Sequence, residues 1–136
     1  MIRESLLPRV LVLLLLTATV TTAQSLSLKP SEVAPFLGTW AFTMTNPQGS
    51  EQTVRIWEKN GSVGASLQIG KFPPNDITGI VKDGDVLVLT TTLRENGAPI
   101  WAVIALTLDG ETMSMAQMLQ RSQTIKRGTG RKEPGK

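Results

Sequence analysis

The chain has 136 residues, 14 Lys or Arg against 11 Asp or Glu, and no His, Cys or Tyr. Those absences exclude imidazole bases, thiolate nucleophiles, disulfides, a Ser-His-Asp triad and metal sites built from His and Cys. The formal charge of +3 hides an asymmetry: acids outnumber bases up to Gln120, whereas beyond it Arg121, Lys126, Arg127, Arg131, Lys132 and Lys136 face only Glu133.

In residues 1–23, Arg3 and Arg9 flank an apolar run that is uninterrupted from Val10 to Leu16, followed by small residues ending in Ala23. This order of basic, apolar and small residues reads as a signal peptide cut after Ala23. The run is shorter than the roughly 20 residues a transmembrane helix needs, and an uncleaved anchor is the alternative. The reading places the protein outside the cytoplasm, periplasmic or secreted, with no transmembrane segment after cleavage. Residues 24–37 then form an N-terminal arm and a short helical turn, in which Ser31 is a candidate cap and Pro35 a stop.

Asn60-Gly61, Asp83-Gly84, Asn96-Gly97 and Asp109-Gly110 punctuate the remainder. Asx-Gly between alternating apolar residues is a strong hairpin signal, because a type I′ turn needs positive φ at both central positions. Strand one is expected over Thr39 to Thr45, strand two over Glu51 to Glu58, and strand three through Val63, Ala65, Leu67 and Ile69. Pro73 and Pro74 interrupt the ladder. Strand four covers about Asp76 to Lys82, five Asp85 to Leu93, six Ala98 to Leu108, seven Glu111 to Leu119, and eight Arg121 to Arg127. The fold class expected is all-β: an eight-stranded antiparallel up-and-down meander closed into a barrel over residues 38–127. Residues 128–136 read as a disordered basic tail.

Phe36-Leu37-Gly38-Thr39-Trp40 resembles the Gly-x-Trp motif of the calycins, which comprise lipocalins, fatty-acid-binding proteins and avidin-like barrels. The resemblance implies a calycin-like barrel in which Trp40 closes one end and a cation from the last strand, Lys126 or Arg127, packs across its indole. The chain departs from those families in having no Tyr, so no ligand carries over from any of them. It also resembles bacterial periplasmic inhibitors of secreted metalloproteases, small Gly-x-Trp barrels with a free N-terminal arm. Gln24 to Pro30 would be that arm, although those inhibitors carry a disulfide and this chain has no Cys.

If Trp40 points inward, alternation brings Phe42, Met44, Ile56, Leu67, Leu89, Ile104, Met113, Met115 and Gln117 into the same interior, the candidate ligand-binding set. That set either fills a small barrel or holds one small hydrophobic molecule. Trp57, Trp101 and Val103 fall out of phase with it and are candidates for an outer interface, through self-association or a protein partner. Carboxylates near the turns, such as Asp83 and Asp85, lack the oxygen spacing of a calcium loop. No strand interleaves basic and aromatic residues as a nucleic-acid surface would. The reading is therefore a non-enzymatic exported barrel, without cofactor or metal, binding a small hydrophobic ligand. The alternative is a protein-binding module such as a periplasmic protease inhibitor or an envelope-assembly partner.

Overall fold

A computed structural model describes residues 28–46, 48–120 and 124–134, so the signal-peptide segment 1–23 and arm residues 24–27 lie outside the described residues. A one-turn helix, α1 (Pro30–Val33), and a 3-10 turn (Ala34–Phe36) precede nine strands. These are β1 (Gly38–Thr45), β2 (Gln48–Lys59), β3 (Ser62–Ile69), β4 (Asn75–Asp76), β5 (Gly79–Asp83), β6 (Val86–Glu95), β7 (Ala98–Asp109), β8 (Thr112–Leu119) and β9 (Ile125–Lys132). All nine belong to one curled antiparallel sheet in the order β4-β3-β2-β1-β9-β8-β7-β6-β5. The first and last long strands are thus neighbours, and the sheet's two edges are short strands consecutive in the chain.

The strand count is nine rather than the expected eight because the fourth stretch changes partner midway. Ile77 N donates to Ala65 O of β3 at 3.0 Å, whereas the next amide, Thr78 N, donates to Thr90 O of β6 at 2.9 Å. Two hydroxyls hold this crossing: Thr78 Oγ1 donates to Thr90 O at 3.0 Å and Thr91 Oγ1 to Asp76 O at 2.7 Å. Period-two alternation runs through such a switch unchanged, so it is invisible in the residue pattern.

The Asx-Gly pairs divide by residue type. Asn60-Gly61 (φ 56° and 80°) and Asn96-Gly97 (φ 53° and 84°) are positive at both positions, as a type I′ turn requires. They lie between the pairs Lys59–Ser62 and Glu95–Ala98. In the Asp-Gly cases the Asp is instead the last strand residue: Asp83 pairs with Val86 and Asp109 with Thr112. Gly84 (φ 61°) and Gly110 (φ 63°) then take the first loop position, the pattern of a II′ turn. The expected I′ geometry therefore holds for the Asn pairs alone.

The lead-in helix begins at Pro30, which suits a first helical position because it has no N–H to satisfy. Lys29 N donates to Glu32 Oε1 at 3.1 Å, so the expected Ser31 cap is replaced by a Glu32 carboxylate reaching back one turn. Val33 and Phe36 of this lead-in are buried in the core.

The expected boundary at residue 127 is wrong, because β9 continues to Lys132. Its inward positions include Gly128 and Gly130, both buried and opposite Met44 and Phe42 in the β1–β9 ladder. A Cβ at Gly130 would lie 2.7 Å from the Phe42 ring, and one at Gly128 2.4 Å from Met44 Sδ and 2.9 Å from Thr43 O. Phe42 and Met44 thus fold flat over bare backbone, an aromatic and a thioether filling the space two β9 side chains would occupy. The basic Gly-rich composition of this stretch reads as disorder only when its partner strand is ignored.

Gly128→Val is expected to lower stability by about 1–3 kcal/mol through overpacking against Met44 and the Thr43 carbonyl. Thr129→Val, on the outward side of the same strand, should stay within about 0.5 kcal/mol. Midpoints of urea unfolding measure the contrast.

Candidate functional site

The inward set expected from alternation is buried in full: Trp40, Phe42, Met44, Ile56, Leu67, Leu89, Ile104, Met113, Met115 and Gln117 are each at most 3% exposed. The apolar members join Val33, Phe36, Val54, Leu87, Ile100, Leu106 and others in one continuous cluster. Besides Thr91, whose hydroxyl donates to Asp76 O, the buried polar residues are an amide pair. Gln117 Nε2 donates to Gln52 Oε1 at 2.9 Å, and Gln52 Nε2 lies 3.5 Å from Gln117 Oε1. The second amide, Gln52, escaped sequence reasoning because its pairing spans β2 and β8. Gln117 is therefore engaged by a partner side chain, and no buried side-chain polar atom among the described residues lacks a hydrogen bond. Each amide meets the other's demand, which removes the strongest reason for a polar ligand group to enter.

Clefts open on the rim and outer surface instead. One of about 400 Å3 lies beside the crossing of β4 to β5 and is lined by Leu28, Val63, Gly64, Ile77, Thr78 and Ile80. Another of about 390 Å3 is lined by Trp40, Gly110, Glu111, Arg131 and Lys132 at the Gly-x-Trp end. Among the described residues no three Asp or Glu stand together as a metal-ligand group.

At that end Trp40 is buried and its Nε1 donates to Phe36 O at 2.9 Å, tying the lead-in turn to β1. The cation beside it is neither Lys126 nor Arg127. The β1–β9 register sets Trp40 opposite Lys132 and Met44 opposite Gly128. Lys126 and Arg127 consequently lie at the far end of β1, where Thr45 Oγ1 donates to Arg127 O at 3.0 Å. A last strand expected to end at Arg127 necessarily carried its cations to the wrong end. Gly38 has φ +127°, and a Cβ there would come within 2.6 Å of Lys132 Cε. The motif's glycine is thus needed for its backbone angle, whereas the exposed, flexible Lys132 stem could move aside.

The three outer candidates do not form one surface. Trp57 is half-buried on β2, its indole lying where a Cβ of Gly64 would be 2.7 Å away. The Arg55 guanidinium sits 5.6 Å from its ring centroid. Bare backbone below and a cation above make it a packed exterior residue, separated from β7 by β1, β9 and β8 in the sheet. Trp101 and Val103 are different: they are 62% and 36% exposed on β7. Val103 pairs with Met118 of β8, and Met118 pairs with Ile125 of β9. Met118 is 50% and Ile125 41% exposed, so four large apolar side chains make one outward patch. Met118 had a signal in the sequence, being out of phase with Met113 and Met115, whereas Ile125 became legible only through the register of β9.

Fold and patch together define an all-β protein, a curled antiparallel sheet around a buried apolar core with an apolar area on its outside. In comparison with known proteins, no family model, no curated protein and no solved structure matches the chain.

Gln117→Leu alone is expected to cost about 1–3 kcal/mol, since it strands the buried Gln52 amide. Gln52→Leu with Gln117→Leu should cost less than the two single changes added, with a coupling of about 0.5–3 kcal/mol in chemical denaturation.

Proposed function

We propose that this chain is a non-catalytic, exported calycin-like barrel that acts by binding protein through the outside of its sheet. In this reading β4 and β5 serve as a single bent stave, so the nine strands make the eight staves of a closed barrel. The amide bonds of Ile77 to β3 and Thr78 to β6 support that closure. The absence of His, Cys and Tyr from the sequence supports binding over catalysis.

One observation carries the choice of partner class. Trp101, Val103, Met118 and Ile125 are exposed side by side, while the interior set is packed against itself and its amides are paired. Apolar patches rimmed by polar residues mark interaction surfaces, and Trp is over-represented among residues that dominate binding energy. The interior reading, a cup for a small hydrophobic molecule, requires a void that this packing does not favour.

Native mass spectrometry of the protein purified from its own host tests the reading. The expected spectrum carries bound protein, lost in Trp101→Ser, and no small molecule. A retained apolar compound, displaced by fatty acids, retinoids or flavonoids with a shift in tryptophan emission, would return the function to the interior.

A further inference from the structure

The chain has four asparagines, and their surroundings differ in a way that bears on covalent chemistry of the backbone. An asparagine is modified spontaneously when the amide nitrogen of the next residue attacks its side-chain Cγ. Asn46 precedes Pro47, which has no N–H to lose. Asn75 lies in β4 opposite Leu67, its Nδ2 donates to Leu67 O at 3.4 Å, and the bulkier Asp76 follows it. Asn60-Gly61 and Asn96-Gly97 remain. Both pairs are exposed, both have the positive φ of a I′ turn, and a Cβ at either glycine would meet nothing within 4 Å. The two turns thus share one backbone geometry, and neither glycine is crowded.

Their electrostatic settings are opposite. Three residues before Gly61 stands Glu58, and Gly61 N donates to Glu58 Oε2 at 2.9 Å. Three residues before Gly97 stands Arg94, whose Nη1 donates to Gly97 O at 3.0 Å. Attack requires the glycine N–H to give up its proton, so negative charge develops on that nitrogen. A carboxylate bonded to the N–H holds the proton and opposes that charge, whereas a guanidinium on the same residue favours it.

We infer that Asn96 is a site of spontaneous deamidation and that Glu58 protects Asn60 from the same reaction. Gly97 N bonds to Asn96 Cγ, the bond from Cγ to the side-chain nitrogen breaks, and ammonia leaves with the proton released by Gly97 N. Water then opens the resulting succinimide at either carbonyl, giving aspartate or isoaspartate. Isoaspartate carries the main chain through the former side-chain methylene, lengthening the loop between the paired Glu95 and Ala98 by one carbon. Either product adds a negative charge at the end of the β6–β7 hairpin, which carries Trp101 opposite Thr92. The β2–β3 hairpin, built on the same dipeptide, is spared. The inference is independent of what the outer apolar patch binds.

Peptide mass spectrometry of the full chain, as processed and purified from its host and then held for weeks at neutral pH, tests it. Asn96 is expected to convert about three- to tenfold faster than Asn60, the range set by one exposed charge-assisted hydrogen bond. Glu58→Gln keeps an acceptor and removes the charge, and should speed Asn60 a few-fold; Arg94→Gln should slow Asn96 a few-fold. Both altered side chains are exposed, so far-UV circular dichroism should not change. Lys59 and Glu95, which directly precede the asparagines, carry the reverse signs. Repeating the incubation in urea keeps those neighbours and releases the folded contacts, and the order of the two sites should then be lost. Asn60 reacting as fast as Asn96 in the folded protein, no conversion at either site, or the same order retained in urea overturns the inference. An Asn60 rate unmoved by Glu58→Gln overturns the protective role of Glu58.

Discussion

The pairing of β1 with β9 is the contact on which the rest of the molecule depends. It joins strands about ninety residues apart, Trp40 with Lys132, so no local turn holds it in place. What holds it is complementarity of volume. Phe42 and Met44 are too large to share one side of a ladder with ordinary neighbours, and Gly130 and Gly128 remove those neighbours. Burying an aromatic or thioether side chain of this size contributes about 1.5–3 kcal/mol. A one-residue slip of β9 would turn Gly128 and Gly130 outward and bring Arg127, Thr129 and Arg131 into the core against Phe42 and Met44. Register, core filling and closure of the two halves therefore share one cause.

From that register the Gly-x-Trp end follows. Lys132 arrives beside Trp40 because β9 must place its glycines beneath Phe42 and Met44. Gly38 supplies the positive φ that opens β1, and the Trp40 indole is anchored to the carbonyl of Phe36. The lead-in turn, first strand and last strand are thus locked at one point without a disulfide. The amide pair of Gln52 and Gln117 does similar work toward the other end of the core, linking β2 to β8 across the interior. Polar pairs of this kind contribute little net stability but penalise any arrangement that separates them.

The outside of the sheet is not uniform. The outward positions of β1 to β3 include Thr39, Thr43, Glu51, Arg55, Ser66 and Gln68, a solvated polar surface. The only large aromatic there, Trp57, is laid over Gly64 beneath Arg55. On β6 to β8 the corresponding positions between Arg94 and Asp109 are uncharged and include the exposed Trp101 and Met118. Contiguous exposed apolar area of this kind is what sets the β7–β8 side apart from the polar β1–β3 side.

Much of this was legible in the residues alone. Alternation placed every member of the expected interior set inward, and Asn-Gly located two hairpins to the residue, because both signals are local. Composition by itself removed His, Cys and Tyr chemistry. Tertiary structure decided what depends on partners distant in sequence. It split the fourth stretch between β3 and β6, and it drew Gly128 to Lys132 out of an apparent tail into a central strand. It also set Lys132, rather than Lys126 or Arg127, opposite Trp40, and separated Trp57 from Trp101 while adding Met118 and Ile125. The reason is common to all of these. A period of two tells which face a side chain takes, but only the register between strands tells which residues become its neighbours.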